Sequence, residues 1–280
     1  MGPHSNHNHG IDGGVSPYRG PVASDWDGRR YDEVNALQRY VAEQALATLH
    51  LRGDERVLDV GCGDGRVTAE VAARLPQGSV LGVDPSPRML AVAHDRVTSG
   101  SSNLAFAQGT AETLDFTAEF DVVVSFNALH WVADLGLALG GIRRALVDGG
   151  AAYLQFVCDG ERPSVEDVTY EVTRTAPYAA YLGDGAPAYH HLDPAVVESI
   201  AREHGLSLEA GRVDDLTWDF GDATALRDWL RVGFADWLRP LPDDAMRESL
   251  LADAARAYEP VAGSPSVVRF LQLRDTFLAV

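Results

Sequence analysis

The sequence predicts an α/β protein whose mostly parallel, doubly wound sheet carries helices on both faces. Short apolar runs, which we interpret as strands, alternate with helical patterns of about ten to fifteen residues. Fully apolar strands such as Val122-Val123-Val124 are typical of a sheet that is covered on both faces. The length of 280 residues fits one large domain, or one domain with a substantial insertion.

The first half of the chain follows this alternation closely. Residues 1–24 are rich in Gly, His, Asn, Ser and Pro without periodicity, which predicts a mobile tail. An apolar stripe predicts a first helix over 31–49. The pattern then predicts strands at 57–60, 79–83, 104–107, 120–125 and 151–158, and helices at 67–75, 89–97 and 135–146.

The second half is less regular. A capping box at 164–167 opens a helix, 177–187 is predicted as a loop, and Asp193-Pro194 begins a helix that Gly205 ends. A strand is expected at 216–220, helices at 226–238 and from 243 to about 258, and a closing strand at 267–280. We therefore divide the chain into a ligand-binding core at 25–160 and a remainder at 161–280, with cap segments at about 161–193 and 222–262.

Composition excludes several classes of function. The net charge is −18 and all 23 basic residues are arginine, which argues against nucleic-acid and anionic-membrane partners. Without lysine there is no Schiff-base chemistry and no Walker-type phosphate loop. Cys62 and Cys158 are too few for a disulfide framework or a metal cage, so we expect two buried thiols, no metal and a reducing cytoplasm. No apolar run is long enough to span a membrane.

A glycine-rich turn follows the first predicted strand, where residues 58–65 read Leu-Asp-Val-Gly-Cys-Gly-Asp-Gly. Glycines at this place let backbone amides approach a ligand at a helix N-terminus. The dinucleotide fingerprint would need its third glycine at Arg66, but that glycine comes one place earlier, at Gly65. Asp59 and Asp64 would repel a pyrophosphate and favour a ligand with ammonium and sulfonium cations.

An acidic residue, Asp84, ends the second predicted strand. A carboxylate at this place can accept hydrogen bonds from both hydroxyls of a ribose. Alone, each feature also fits an ordinary tight turn or a helix N-cap. On two consecutive strand–helix units they indicate an adenosine-like ligand that lacks a diphosphate.

These motifs resemble those of the class I S-adenosylmethionine-dependent methyltransferases over about residues 29–160. The first motif of that family corresponds to 58–65, its ribose acid to Asp84, and its fourth-strand motif to 120–132. Its adenine-contact motif, usually Gly-Asp-Ala-Glu, appears as Gly-Thr-Ala-Glu at 109–112. The resemblance implies a Rossmann-like sheet of seven strands with the last one antiparallel, and a helical cap between the last strands.

The resemblance further implies S-adenosyl-L-methionine as cofactor and S-adenosyl-L-homocysteine as its product. Tyr31 and Gln38 match places on the first helix where related enzymes close over the cofactor. Thr110 departs from the family pattern, because an aspartate commonly accepts from the adenine amine there, so that contact is weakened or moved. The cofactor-binding residues implied are Tyr31, Gln38, Asp59, Gly61, Cys62, Gly63, Asp84, Pro85, Met89, Thr110, Ala111, Glu112 and Asn127.

A narrower similarity, to the trans-aconitate and juvenile-hormone-acid methyltransferases, points to a small carboxylic acid as acceptor. It is carried by Ala-Leu-His-Trp-Val at 128–132 and by the tryptophan-rich segment 228–241. His130 follows the fourth strand, where it could act as general base or only shape the loop, and Trp131 could wall the substrate pocket. Arg231 and Arg239 could hold an acid through bidentate bonds, or pair with nearby aspartates.

Two further groups of side chains have both a functional and a structural interpretation. The aromatic residues of the first cap segment line a lid or belong to a surface loop, and those of the second pack a core or form a substrate box. These residues are Tyr178, Tyr181, Tyr189, His190, His191, Trp229, Phe234 and Trp237.

We therefore expect a cytoplasmic S-adenosylmethionine-dependent methyltransferase, a monomer or homodimer, that methylates an oxygen (carboxylate or hydroxyl) of a small metabolite or natural product. Carbon or nitrogen acceptors, and a non-methylating S-adenosylmethionine-binding protein, are the alternatives. A nicotinamide oxidoreductase on the same fold is disfavoured by the glycine spacing and the paired carboxylates.

Overall fold

The computed structural model describes residues 36–96, 102–183 and 189–280. The predicted tail, Tyr31 and part of the predicted loop at 177–187 lie outside the described residues. Within them the strands are β1 (Arg56–Val60), β2 (Ser79–Asp84), β3 (Leu104–Gln108), β4 (Phe120–Phe126), β5 (Leu146–Cys158), β6 (Leu206–Asp219) and β7 (Val267–Ala279).

These strands form one seven-stranded sheet of order β3-β2-β1-β4-β5-β7-β6. The first five strands pair in parallel, and β7 lies antiparallel between β5 and β6. This confirms the predicted Rossmann-like sheet. The strand order reverses between β1 and β4, and α/β sheets bind their ligands in the crevice at such a switch point.

The helices that carry the core follow the predicted alternation. They are α1 (Ala36–Thr48), α2 (Arg66–Ala72), α3 (Pro87–Arg96), α4 (Leu135–Ala145) and α7 (Pro194–Glu203). Leu58 and Val60 of β1 pack on the same side of the sheet as α4 and α7, whereas Val57 packs on the side of α1 and α2. Helices therefore cover both faces, as the apolar strands predicted.

The remaining helices are α5 (Val165–Thr173), α6 (Ala179–Leu182), α8 (Ala223–Gly233), α9 (Ala235–Leu238) and α10 (Asp244–Ala262). We call these five helices the cap. Ser164 and Asp167 form the predicted capping box of α5, and the Asp193 side chain caps α7. Leu37 and Val41 of α1 share a buried apolar cluster with the cap, so the cap is packed on the core.

Several predicted boundaries were wrong. β5 begins at Leu146 and not at residue 151, and the helix predicted at 226–238 is divided into α8 and α9. α6 lies inside the predicted loop, and α10 continues past residue 258, through Pro260, to a left-handed Gly263. β6 begins at Leu206 and not near residue 216, because its first half is a largely exposed edge segment without an apolar pattern. Among the described residues, no helix combines the length and apolarity needed to cross a bilayer.

Candidate active site

A cavity of about 940 Å³ lies between the carboxyl ends of the parallel strands and the cap. Its cofactor side is formed by the ends of β1 to β4 together with α1 and α2. Its cap side is formed by α5, α8, His190 and residues of β5 and β7. The volume is within the range of ligand sites in proteins, which is about 300–1,000 Å³.

The glycine loop approaches the cavity through positive-φ glycines. Gly61 has φ +77°, and a Cβ atom there would lie 2.2 Å from the Cβ of Ala128, so the loop can pack on the segment after β4 only because residue 61 is glycine. Gly63 has φ +54°, and a Cβ there would meet nothing within 4 Å. The loop backbone therefore faces open space in the cavity, as a bound ligand would require.

Asp84 is fixed by two backbone amides. Its Oδ2 accepts from Gly63 N at 2.8 Å and its Oδ1 accepts from Ser86 N at 2.9 Å. Each oxygen keeps a further lone pair for a ligand hydroxyl. The carboxylate is largely buried, and burial raises its pKa.

Asp59 is the most deeply buried acid of the loop. It accepts from the Thr68 hydroxyl at 2.7 Å. Burial, with a contribution from nearby Asp84, raises the pKa of Asp59 to about 7. Asp64, by contrast, is paired with Arg96 at 2.7 Å, so its charge is compensated.

The structure brings most of the sequence-predicted site residues to this one cavity. The predicted residues that line it are Gln38, Asp59, Gly61, Cys62, Gly63, Asp84, Pro85, Met89, Thr110, Ala111, Glu112, Asn127, His130 and Trp131. Tyr31 lies outside the described residues. Arg231 and Arg239 do not line the cavity.

Arg231 does not line the cavity and pairs instead with acids of the cap. Its Nη2 donates to Glu248 Oε2 at 3.0 Å and lies 3.7 Å from Asp228. The predicted alternative, pairing with nearby acids, is therefore the arrangement that the structure shows for this arginine. It leaves the described cap side without an arginine in its lining.

The segment 109–113, part of which is predicted to contact adenine, forms a short capped turn. The hydroxyls of Thr110 and Thr113 lie 2.9 Å apart and cap a short 3₁₀ turn, Ala111–Thr113. Glu112 accepts from Ala133 N at 2.8 Å, which ties this turn to the segment after β4. Thr110 thus serves the fold at the place where the family pattern has an aspartate.

Asn127 and Gln272 form a polar pair at the end of β4. Asn127 has φ +59°, a conformation that asparagine tolerates better than most residues. Its Oδ1 accepts from Gln272 Nε2 at 2.9 Å, and Gln272 Oε1 is buried without a hydrogen-bond partner among the described residues. Sequence reasoning missed Gln272, because its position on β7 carries no motif.

His130 lies in the 3₁₀ turn Leu129–Trp131 that follows β4, and it lines the cavity between the cofactor side and the cap side. The residue is 5% exposed. Burial, and secondarily the neighbouring His191, lowers the pKa of His130 well below its usual value. The imidazole is therefore neutral at pH 7 and offers one N–H and one lone pair.

The ring of His191 lies next to the ring of His130. The two ring centroids are 5.9 Å apart, and His130 Nδ1 and His191 Nε2 are both buried without a hydrogen-bond partner among the described residues. The other nitrogen of His191 lies 3.2 Å from the Ser164 hydroxyl, which donates to Asp167. Because that hydroxyl proton is used, Ser164 accepts from His191. Asp167 thereby fixes the orientation of His191 through Ser164. His191 in turn packs against the His130 ring.

The cap side is mostly apolar. Trp229 and Phe234 of the second cap segment line the cavity, so part of the predicted packing stripe also serves as wall, while Trp237 packs on Phe234 and Tyr189. Glu166, in the first turn of α5, is the acidic member of this wall.

The cofactor side fits a nucleoside that carries cations. Its glycine loop leaves open space, Asp84 is placed to accept from hydroxyls, and Asp59 and Glu112 supply acidic groups. A pyrophosphate would be repelled by this set of carboxylates, whereas a sulfonium and an ammonium would be attracted. The residues present therefore suit S-adenosylmethionine better than a dinucleotide.

Known proteins with similar sequences are methyltransferases, which agrees with a site that suits S-adenosylmethionine. Residues 57–150 match the family model of a methyltransferase domain. The chain is 29% identical to trans-aconitate 2-methyltransferase of Methylobacterium radiotolerans over 240 residues, which cover 84% of this chain and 90% of that protein. It is 29% identical to the protein of the same name from Methylobacterium nodulans over 260 residues, covering 89% of this chain and 96% of that protein.

A solved structure shares the fold. The YcgJ protein from Bacillus subtilis superimposes with a TM-score of 0.63 at 21% identity, covering 86% of this chain and 98% of that one. At this level of identity the likeness concerns the fold alone.

Proposed function

We propose that this chain, a class I S-adenosylmethionine-dependent methyltransferase, transfers the methyl group to a carboxylate oxygen of a small organic acid. The observation that carries the choice of acceptor is the similarity, over most of the chain, to relatives named trans-aconitate 2-methyltransferase. The cavity supports it, because the same cavity extends from the acid-flanked glycine loop to the mostly apolar wall of the cap.

The cofactor would bring an activated methyl group on a sulfonium, so the chain needs no nucleophile of its own. Its residues would then bind, orient and exclude water. We assign the ribose hydroxyls to Asp84 and the cationic part of the ligand to the neighbourhood of Asp59. The predicted roles of Gln38 and Asn127 on the cofactor side belong to the same proposal.

A carboxylate acceptor has an ordinary pKa near 4, so it arrives ionised and needs no base. For such an acceptor we assign His130 the role of N–H donor, which orients one carboxylate oxygen. Trp131, the next residue, would form part of the wall of the acceptor site. A hydroxyl acceptor is the second candidate, because the lone pair of the neutral His130 could take its proton.

We propose a cytoplasmic enzyme, a monomer or homodimer, that acts on free small molecules and not on nucleic acid. Carbon or nitrogen acceptors and non-methylating S-adenosylmethionine binding are the alternatives that the following experiment separates.

The protein is incubated with S-adenosylmethionine labelled with tritium in the methyl group and with single acceptors, namely carboxylic acids, phenols and amines. A carboxyl methyl ester releases its label as volatile methanol in alkali, whereas methyl groups on ether oxygen, nitrogen or carbon are retained. We expect acid-dependent, alkali-labile product. Alkali-stable product would contradict the carboxylate assignment, and absence of any product with all acceptors, despite cofactor binding, would favour the non-methylating alternative.

A further inference from the structure

We propose that Glu166 acts in the acceptor site as a neutral hydrogen-bond donor, and that it holds a second, non-reacting oxygen of the acceptor. The negative charge of the two neighbouring carboxyl groups at the start of α5 then belongs to Asp167. This inference rests on the proposed function, since it concerns the acceptor of the same site. The oxygen that Glu166 holds is that of a second carboxylate, a ketone or an amide.

Asp167 carries the charge of this pair, because it accepts several hydrogen bonds. Its Oδ2 accepts from Ser164 N at 2.7 Å and from the Ser164 hydroxyl at 2.8 Å, and its Oδ1 accepts from the Tyr189 hydroxyl at 2.8 Å. Burial acts to raise the pKa of Asp167, but neighbouring His191 and these hydrogen bonds lower it below the usual value. Asp167 is therefore ionised at neutral pH.

Glu166 has the opposite environment. The residue is 8% exposed and lines the cap side of the cavity together with Val165 and Phe270. The Ser164 hydroxyl, which is close to it, donates to Asp167. A carboxylate in such a poorly hydrated place costs free energy, and a charged neighbour adds to that cost. Burial accordingly raises the pKa of Glu166, with His191 acting against this shift and Asp167 adding to it.

Two neighbouring acids in such different surroundings divide a proton and a charge between them. A protonated carboxyl group has one O–H donor, and hydrogen bonds from a donor to an anionic oxygen are among the stronger ones in proteins. Glu166 therefore offers a ligand oxygen a donor at a wall that is otherwise mostly apolar.

The remaining titratable groups near Glu166 have their own partners. Tyr189 donates to Asp167, and Tyr258 of α10 donates to the carbonyl oxygen of Arg269 at 2.6 Å. Burial raises the pKa of both tyrosines, and Glu166 contributes to both shifts. Both hydroxyls are therefore neutral at pH 7, and their protons are used within the protein.

The position of Glu166 suits a second oxygen of the acceptor better than the reacting one. His130 lies between the cofactor side and the cap side, whereas Glu166 belongs to the cap. His191 packs on the His130 ring and is also close enough to influence the charge of Glu166. One small acceptor can therefore place its reacting carboxylate at His130 and another oxygen at Glu166.

Infrared spectroscopy tests the protonation of Glu166, because a protonated carboxyl group absorbs apart from a carboxylate. The spectrum of the Glu166→Gln variant is subtracted from that of the unaltered protein, both saturated with S-adenosylhomocysteine. We expect an acid band at pH 7 that declines as the pH is raised. Glu171→Gln, at an exposed position of the same helix, is the control and should remove only carboxylate bands. A carboxylate signal from Glu166 at pH 7 would overturn the inference.

The acceptor is tested with pairs of acids of equal length. They are butanoate with butanedioate, pentanoate with pentanedioate and 4-oxopentanoate, and hexanoate with hexanedioate. Ester formation is followed with tritiated cofactor, and binding to protein saturated with S-adenosylhomocysteine is followed by calorimetry. We expect kcat/KM of at least one diacid to exceed that of its monoacid by about 10–100-fold, the effect of one hydrogen bond to a charged group. Monoacids that are used as well as every partner acid would overturn the inference.

Two variants test the donor itself. Glu166→Met removes the donor at similar size, so the preference for the second oxygen should fall about tenfold. Glu166→Gln keeps an N–H donor and should retain most of the preference. An unchanged preference in a Met variant that still binds S-adenosylhomocysteine would overturn the role of Glu166. If that variant does not fold, the infrared spectra and the acid series with the unaltered protein decide.

The two proposals fail differently. Preferential binding of the diacids without ester formation supports the donor role of Glu166 and contradicts methyl transfer to carboxylate. Ester formation without any preference for a second oxygen supports methyl transfer and contradicts the donor role.

Discussion

At the scale of single residues, the acids of the cofactor side are oriented by neighbours before any ligand is bound. Asp84 accepts hydrogen bonds from two backbone amides, and Asp59 accepts one from the Thr68 hydroxyl. Such fixed acceptors lower the cost of ordering on binding, which is the general advantage of preorganisation. The same neighbours make each residue's role testable by conservative substitution.

Replacing Asp84 by Asn keeps the size of the side chain but removes its charge and one acceptor oxygen. A hydrogen bond to a charged group contributes about 1.5–3 kcal/mol, so we expect the dissociation constant of S-adenosylmethionine to rise about 10–100-fold. Calorimetry measures it, with Asp95→Asn on the exposed face of α3 as the control. An unchanged affinity would remove Asp84 from the binding site.

Replacing His130 by Gln should separate catalysis from cofactor binding. The oriented N–H at the cavity is lost or displaced, so we expect kcat to fall about tenfold, which is the size expected for one hydrogen bond to a charged group. The affinity for S-adenosylmethionine should change by less than about twofold. His204→Gln, at an exposed position, is the matched control. Equal turnover of the His130 variant and the unaltered protein would refute the assigned role.

At the scale of elements, the glycine loop after β1 packs on the segment after β4, and β1 and β4 are neighbours in the sheet. Gly61 after β1 packs on Ala128 after β4, and its N–H donates to Val83 O at 2.8 Å. The loop therefore holds together the ends of β1, β2 and β4, and β1 and β4 are the two strands at the switch point of the sheet.

Gly61→Ala should destabilise the protein beyond the cost of its backbone conformation. A left-handed conformation costs a non-glycine residue about 1–2 kcal/mol, and the clash with Ala128 adds to it. Gly149→Ala is the matched control, because Gly149 has φ +75° and open space around its Cβ position. We expect urea denaturation to show a larger loss for the Gly61 variant. Equal losses would mean that the loop relaxes without cost.

The elements also show how far sequence reasoning reaches. The motif after β1 and Asp84 after β2 could be predicted, because each is a contiguous pattern at a strand end. Glu166, Gln272 and the buttressing role of His191 could not, because they reach the cavity only through packing of elements that are distant along the chain. Arg231 had two interpretations, a substrate ligand or a partner of nearby acids, and its pairs with Asp228 and Glu248 agree with the second.

At the scale of the whole molecule, the cap and the core share one buried apolar cluster. The buried Asp59 makes the stability of the protein depend on pH. Asp59 has a pKa raised to about 7, so between its usual value and pH 7 the folded protein holds a proton that the unfolded chain releases. Its favourable contribution is complete below the unfolded pKa and is lost as the pH rises through about 7.

Asp59→Asn has no such titration, and its amide oxygen can still accept from Thr68. We therefore expect the unfolding free energy of the variant, relative to the unaltered protein, to be higher at pH 8 than at pH 5 by an amount on the order of 2 kcal/mol. Urea titrations of the ligand-free proteins at both pH values measure this difference. A difference that does not vary with pH would show that Asp59 ionises normally.

The shape and charge of this one cavity suit a sulfonium nucleoside and its thioether product. Titration calorimetry of the unaltered protein with S-adenosylmethionine, S-adenosylhomocysteine and NAD⁺ measures this preference. We expect saturable binding of the first two well below millimolar concentration and no binding of NAD⁺. Binding of NAD⁺ in the absence of binding of either sulfur nucleoside would contradict it.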